Sequence, residues 1–481
     1  MNYSMVRYVL FRLFRVMGAL MILPFIVALI YREYDSALSF VLLIAISFII
    51  GIAGTYQKPA NKVIYAREGF AITAAAWILM SLLGAIPFVI TGTIPNYIDA
   101  VFETVSGFTT TGGSILTSVD GMEKSVQFWR TFTHWIGGMG VLVFLMAVVP
   151  MADGYGIHLM RAESPGPVVG KIVPKVKDTA KILYLIYLGI TVIEIICLFI
   201  SGLPLYDAIT ISFSTVGTGG FAINNAGVGG YSTVSQVIII IFMALCGVNF
   251  TVYYYLLKRK PREAFAIDEV KFYFGTMFVA AGLIAFNIFR AGILDNPLMS
   301  FHHSLFSVVS VMTTTGFGTL DFDKWPMFSK IILCTLSLIG ACAGSTGGGF
   351  KFSRALIIVR NARNELNYLV HPKAVKRVHM DGHTVDGTTV KSASAYLGIY
   401  VITFLVSVLL VSLDNFDFQT TVTSVIATLN NIGPGLGMVG PMGNYSEFSY
   451  FSKLVLMFDM LAGRLELLPI FIMIKPKTWK K

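Results

Sequence analysis

The sequence predicts an all-α polytopic membrane protein with ten transmembrane helices. Four span–pore-loop–span repeats are expected around one pseudo-fourfold pore, and two further helices precede them. Three observations lead there. The composition leaves most of the chain no water to face, the loop charges agree with a single topology, and a short Thr- and Gly-rich turn recurs four times.

Of 481 residues, 55% are hydrophobic and only 13% are charged, and the mean hydropathy is +0.74. Soluble domains carry roughly 25% charged residues. A spanning helix needs about 20 apolar residues. Apolar segments long enough recur at 8–31, 37–55, 69–92, 127–149, 180–201, 233–257, 272–291, 327–350, 392–413 and 449–474. This composition excludes a soluble multidomain enzyme. Arg7, Arg12 and Arg15 precede the first apolar run in the manner of a signal peptide. The run is too long for one and no small-residue cleavage site follows, so a retained first span is expected.

The net charge of +10 raises the question of nucleic acid, and its distribution answers it. With the N-terminus in the cytoplasm, alternate loops hold Lys58, Lys62 and Arg67, then Arg161 to Lys181, Lys258 to Arg262, Arg360 to Lys391 and Lys475 to Lys481. The opposite loops hold few basic residues but many acids, among them Asp99, Asp120, Asp207, Asp321 and Asp417. This is the positive-inside pattern, with both termini cytoplasmic. The basic charge is the skin of a membrane protein, and no nucleic-acid partner is expected. The four cysteines, Cys197, Cys246, Cys334 and Cys342, lie in apolar stretches without metal-ligand spacing, so they read as packed thiols.

Between some spans sit apolar pieces near 98–109, 205–216, 302–313 and 418–430, too short to cross a bilayer. Re-entrant segments are expected there. Each ends in a related turn: Thr109-Thr110-Thr111-Gly112, Val216-Gly217-Thr218-Gly219, Thr313-Thr314-Thr315-Gly316 and Asn430-Asn431-Ile432-Gly433. Taking Gly112, Gly219, Gly316 and Gly433 as equivalent, the units recur at roughly hundred-residue intervals, too long for a solenoid. One such turn could be an ordinary helix cap. Four in matched positions point to a pore. A cation passing a narrow pore must exchange water for other oxygens, and rings of backbone carbonyls and Thr hydroxyls supply them. Glycine permits φ > 0, so successive carbonyls can face one axis. The preceding short helix aims the negative end of its dipole there.

The turns Thr109–Gly113 and Thr313–Gly316 resemble those of the TrkH/TrkG/KtrB superfamily of potassium transporters. So do Phe128-Trp129-Arg130 with Trp135-Ile136-Gly137-Gly138-Met139-Gly140, the run Gly344-Ser345-Thr346-Gly347-Gly348-Gly349, and Gly463-Arg464-Leu465-Glu466. The resemblance covers the whole chain, and the two extra N-terminal spans match the TrkH branch. It implies one pore per subunit, a homodimer, a cytosolic ring of TrkA-type nucleotide-binding regulatory (RCK) subunits, and a bacterial inner-membrane location. It implies potassium as the transported ion, with no cofactor bound by this chain. The four turns become the selectivity filter. With one Gly per turn against two in the strict potassium-channel signature, discrimination against sodium is expected to be real but weaker. The fourth turn departs most from the Thr-rich pattern.

The run Gly340 to Gly349 interrupts a predicted span, so it must be buried or line water. By itself it reads equally as a flexible gate or as a notch for close helix approach. The resemblance implies a gate made of Gly340, Ala341, Gly344, Ser345, Thr346, Gly347, Gly348 and Gly349. The same run nearly mimics a phosphate loop, but position 350 is Phe, the Lys is displaced to 351 and no strand is predicted before it. Nucleotide control would therefore come from a partner. Arg464 lies deep in the last span, where a central Arg costs about 2.5–3.5 kcal/mol on insertion scales. It must face water, protein or pore. The resemblance places it below the filter as a barrier to cations, against a carbonyl-bonded structural Arg.

Glu194 sits mid-span in the second repeat, where a hydrogen-bonded structural role is expected. His302 and His303 are adjacent and lack ligand spacing. The stretch 354–391 is basic and follows the gate-bearing span, as either a docking surface for the regulatory ring or a solvated linker. The resulting units are 1–66 (extra helices), 67–150, 151–260 and 261–360 (repeats one to three), 361–391 (linker) and 392–481 (repeat four). An enzyme would need grouped carboxylates or an activated nucleophile, which the spans do not offer. A secondary transporter with broken helices is the alternative, but it favours inverted halves over four parallel units.

Overall fold

The structure, a computed structural model, describes residues 1–61, 64–140, 176–372 and 377–475. The predicted loop at 151–175, and part of the span at 127–149, lie outside those residues. Helices α1 (Tyr3–Leu20) and α2 (Ile22–Tyr31) form one apolar run of 29 residues, broken at Met21. Pro24 in α2 has no N–H to return to the Leu20 carbonyl, which accounts for the break. α3 (Tyr34–Thr55) packs back along α1, and at Gly54 a side chain would run into the Phe11 ring.

α4 (Ala66–Ile90), α5 (Tyr97–Phe108) and α6 (Lys124–Gly138) follow. After residue 175 come α7 (Val176–Ile200), α8 (Leu205–Val216), α9 (Thr233–Cys246) and α10 (Thr251–Leu257). Beyond α11 (Pro261–Ala266) lie α12 (Asp268–Arg290), α13 (Pro297–Met312) and α14 (Met327–Ile339). α15 (Phe352–Val370) leads to an antiparallel hairpin, β1 (His379–Met380) and β2 (His383–Thr384), with Met380 opposite His383. α16 (Gly387–Val411), α17 (Phe418–Leu429), α18 (Tyr450–Arg464) and α19 (Leu468–Ile474) complete the chain.

Among the described residues, six helical runs are long and apolar enough to cross a membrane. They become seven if α9 and α10, bent by 97°, count as one broken span. Three further predicted spans are not continuous helices. α6 ends at Gly138, with Gly140 at φ 77°, α14 stops at Ile339, and the last span breaks between α18 and α19. That final break has a local cause. Glu466 and Leu467 have φ of 62° and 59°, the Leu467 amide bonds the Ala462 carbonyl, and Pro469 cannot continue the ladder.

The short helices fall where the sequence places re-entrant segments. Twelve residues of α5, α8 or α17 span roughly 18 Å at 1.5 Å per residue, well short of the ~30 Å hydrocarbon core. Three of the short helices start on a side-chain cap: Asn96 for α5, Asn296 for α13 and Asp417 for α17. The Thr420 hydroxyl and amide hold the Asp417 carboxyl below the usual carboxylate range. Two large apolar cores surround these helices, beside a small one of Ile186, Tyr187, Val216, Cys246 and Phe250. One joins α1–α6 to α16–α19, and the other gathers mainly α8–α14.

The N-terminal pair is fastened to the rest by a cap supplied from outside the capped helix. Glu33, between α2 and α3, accepts the amides of Lys124 and Ser125 at 2.6 and 2.9 Å and the Ser125 hydroxyl at 2.6 Å. These are orphan donors of the first turn of α6. Glu33→Ala is expected to cost about 1–2 kcal/mol, seen as a lower unfolding temperature of the detergent-purified protein, with Glu33→Gln intermediate.

Candidate functional site

The four short helices end in the same way. The cap residues are Thr109, Gly217, Thr313 and Asn430, and each is followed by a left-handed residue: Thr110 (φ 56°), Thr218 (55°), Thr314 (59°) and Asn431 (54°). The next amide reaches back five residues: Thr111 to Ser106 at 2.9 Å, Gly219 to Ser214 at 2.8 Å, Thr315 to Ser310 at 2.8 Å, and Ile432 to Ala427 at 2.9 Å. The left-handed residue itself bonds three back, as Thr110 does to Gly107. This is the Schellman arrangement four times over. Three of its left-handed positions carry Thr, a β-branched residue for which that conformation is strained. Such strain costs on the order of 1–3 kcal/mol and persists only where the surroundings over-determine it. Asn431 fills the fourth position at less strain, since Asn tolerates left-handed backbone.

The matching conformations set the register of the second turn one residue later than the sequence alignment has it. Val216 is the last residue of α8, and Gly220 (φ 80°) stands where Gly112 (80°), Gly316 (84°) and Gly433 (91°) stand. The sequence Gly-Thr-Gly-Gly offers two candidate glycines, and only the helix end distinguishes them. These four glycines close a ring. A side chain on Gly112 would overlap the Gly219 carbonyl, one on Gly220 the Thr315 carbonyl, one on Gly316 the Ile432 carbonyl, and one on Gly433 the Thr111 carbonyl. All four glycines line one cavity of about 200 Å³.

The turns are buttressed from outside the ring. The His134 Nδ1–H donates to the Gly107 carbonyl at 2.8 Å, while its Nε2 accepts the Phe221 amide at 3.3 Å. One neutral imidazole thus joins the first short helix to the second turn. The Ser214 and Ser310 hydroxyls donate to the Phe221 and Phe317 carbonyls at 2.9 and 2.6 Å. The Tyr445 hydroxyl donates to the Gly433 carbonyl at 2.7 Å. Asn431 Nδ2 donates to Thr111 Oγ1 at 3.0 Å, linking the fourth turn to the first. Glu103, in α5, is buried against Arg130 Nε at 2.6 Å and also takes the Ile115 amide and the Ser114 hydroxyl. Sequence reading passed over Glu103, His134 and Tyr445. The available signal for Glu103 was a carboxylate within an apolar segment.

The Gly-rich run lies against the helix side of the turns, away from the cavity. The chain leaves α14 at Gly340 (φ 77°) and re-enters helix after Lys351 (φ 82°). Its ends are tied by Lys351 N to the Ile339 carbonyl and Phe352 N to the Ala341 carbonyl, which makes a closed Ω-loop. The Gly348 amide donates to Thr314 Oγ1 at 2.6 Å. Side chains on Gly347 and Gly348 would press on the Thr313 and Asn430 carbonyls. On another side the loop bonds the bend between α9 and α10. Cys342 N reaches the Gly247 carbonyl at 3.0 Å, Phe250 N the Gly344 carbonyl at 3.0 Å, and the Thr346 hydroxyl the Cys246 carbonyl at 3.2 Å. Ser345 turns its hydroxyl to Cys342 O. Helix α14, not a strand, precedes this run.

Arg464, at the end of α18, donates to the Thr346 carbonyl at 2.7 Å, the Gly138 carbonyl at 2.8 Å and the Gly137 carbonyl. The last two belong to the negative end of α6. The guanidinium therefore bridges the Ω-loop and α6. Glu194 is fully buried, with the Thr215 side chain beside its carboxyl. His302 bonds Gln236 and His303 bonds Thr319, and no cluster of three or more potential metal ligands occurs among the described residues.

A family model described as "TrkH: Cation transport protein" matches residues 37–275 and 286–481. The chain belongs to the TrkH family. It is 35% identical over 469 residues to the Trk system potassium uptake protein TrkH of Salmonella typhimurium, covering 96% of each chain. It is 32% identical over 468 residues to TrkG of Escherichia coli, covering 96% of this chain and 95% of that one. The crystal structure of the potassium transporter TrkH from Vibrio parahaemolyticus superposes with a TM-score of 0.89 at 29% identity, covering all of both chains. The TrkH family is one of transporters rather than enzymes. Membership, with several apolar helices, makes the chain a multi-pass inner-membrane protein.

The ring makes the register testable. Gly220→Ala forces a methyl group onto the Thr315 carbonyl at positive φ and is expected to abolish rubidium uptake or folding. Val216→Ala, which only trims the end of α8, is expected to leave cation competition in rubidium-uptake assays unchanged.

Proposed function

We propose that the chain conducts potassium into the cell through a channel-like pore whose selectivity filter is the ring of four turns. The observation that carries the reading is the closed ring of left-handed glycines, each against the next turn's carbonyl, opening on one cavity. Names of relatives support potassium as the ion. In this reading the ion sites are built from Thr109–Gly112, Gly217–Gly220, Thr313–Gly316 and Asn430–Gly433. Ten spans form four parallel repeats behind two N-terminal helices, with both termini cytoplasmic.

The Ω-loop serves as the gate. It seals the helix side of the filter, and Arg464 holds it to α6. Opening then requires breaking the bonds from Arg464 to the Thr346 carbonyl and from Gly348 to Thr314. A homodimer and a cytosolic TrkA-type nucleotide-binding ring complete the assembly, the ring acting through the basic stretch 354–391. One left-handed Gly per turn leaves room for modest sodium leakage.

Cation flux into liposomes containing the purified protein tests the reading. High, non-saturating potassium and rubidium flux supports a pore, whereas slow flux that follows a proton or sodium gradient supports a carrier and defeats it. Gly112→Ser, Gly316→Ser and Gly433→Ser are each expected to lower potassium over sodium preference severalfold. Arg464→Ala is expected to raise basal flux; wild-type flux from a normally folded variant would show that Arg464 is structural only.

A further inference from the structure

Two adjacent residues in the first turn of α12 are bonded in opposite directions. Glu269 is buried, and one of its carboxyl oxygens accepts two amides: Ala343, within the Ω-loop, at 2.8 Å and Ser353, in the first turn of α15, at 2.9 Å. It thereby caps α15, whose first amides have no helical partners, and holds the middle of the loop with the same atom. Asp268 faces the hairpin. Its amide donates to the Asp381 carboxylate at 2.7 Å, and its own carboxylate accepts Arg360 Nη2 at 3.0 Å and the Asp381 amide at 3.3 Å. Arg360, in α15, also donates to the His379 carbonyl at the start of the hairpin.

We infer that this turn of α12 is the junction through which the β1–β2 hairpin sets the position of the Ω-loop, with Glu269 as the positioning residue. The inference rests on the proposed reading of the loop as the gate. The two sides of the junction differ in strength. Arg360 and Asp268 are about one-quarter exposed, and exposed ion pairs contribute little and break readily. Glu269 is almost fully enclosed, and leaving its two amides without a partner is costly. A protein pulling on the hairpin would therefore release the outer tie first and displace α15. An α15 displaced from the loop cannot keep both amides on one oxygen.

The test is rubidium flux through the full chain in liposomes, with monodispersity in detergent as the folding control. Glu269→Ala is expected to raise flux about tenfold, the scale of losing hydrogen bonds to a charged acceptor. Glu269→Gln, which keeps an acceptor oxygen, is expected to stay within about twofold of the parent chain. Arg360→Ala is expected to raise flux about threefold alone and to add nothing in the Glu269→Ala background. If Glu269→Ala is not monodisperse, Glu269→Asp repeats the cycle, since its shorter side chain cannot reach both amides. A variant lacking Ser345–Gly347 separates the two ideas. Raised flux in that variant, with parental flux in the Glu269 variants or with independent effects of Glu269 and Arg360, overturns the junction. Parental flux in the shortened variant overturns the gate reading on which the junction rests.

Discussion

Backbone that leaves the helix deep inside a membrane protein must still find partners for its N–H and C=O groups. In this chain the four short helices meet that constraint with one device. A left-handed residue after the cap returns two amides to the helix end, and it swings the following carbonyls out of helical alignment. The cap and the proposed filter are thus the same atoms. An ordinary capping turn and a carbonyl ring, alternatives when a single turn is read in isolation, are one structure when four of them meet.

The strain follows from the same geometry. Thr110, Thr218 and Thr314 sit where Gly or Asn would be more comfortable. They stay there because the ring leaves no alternative: each turn's glycine is filled against the next turn's carbonyl, and His134, Tyr445 and the Glu103–Arg130 pair hold the ring from outside. The Ω-loop presses on the same turns from the helix side, and Thr314 joins it to the ring. Anything that moves the loop therefore acts on strained backbone within one hydrogen bond of the proposed ion path.

Much of this was legible in the residues. Apolar length marked the spans, and short length marked the re-entrant helices, whose starts carry the caps Asn96, Asn296 and Asp417. The Gly-rich break in the 327–350 segment stood out because each glycine weakens a helix and several follow one another. Other features were hidden for identifiable reasons. Gly219 and Gly220 are adjacent and chemically identical, so composition could not choose between them. The last span looked continuous because Glu466 and Leu467 are ordinary helix residues, and only the Ala462 carbonyl shows that they cap instead. Glu269 looked like any acid at the start of a helix.

Sequence alone determined the class of the protein and the places where its backbone must leave the helix, because burial cost and conformational freedom are properties of residue type and local pattern. The tertiary structure decided which glycine of the second turn closes the ring, which carbonyls Arg464 bridges, and that Glu269 holds Ala343 and Ser353 with one oxygen. The last two choices depend on contacts between residues 74 to 327 positions apart, which no local pattern records.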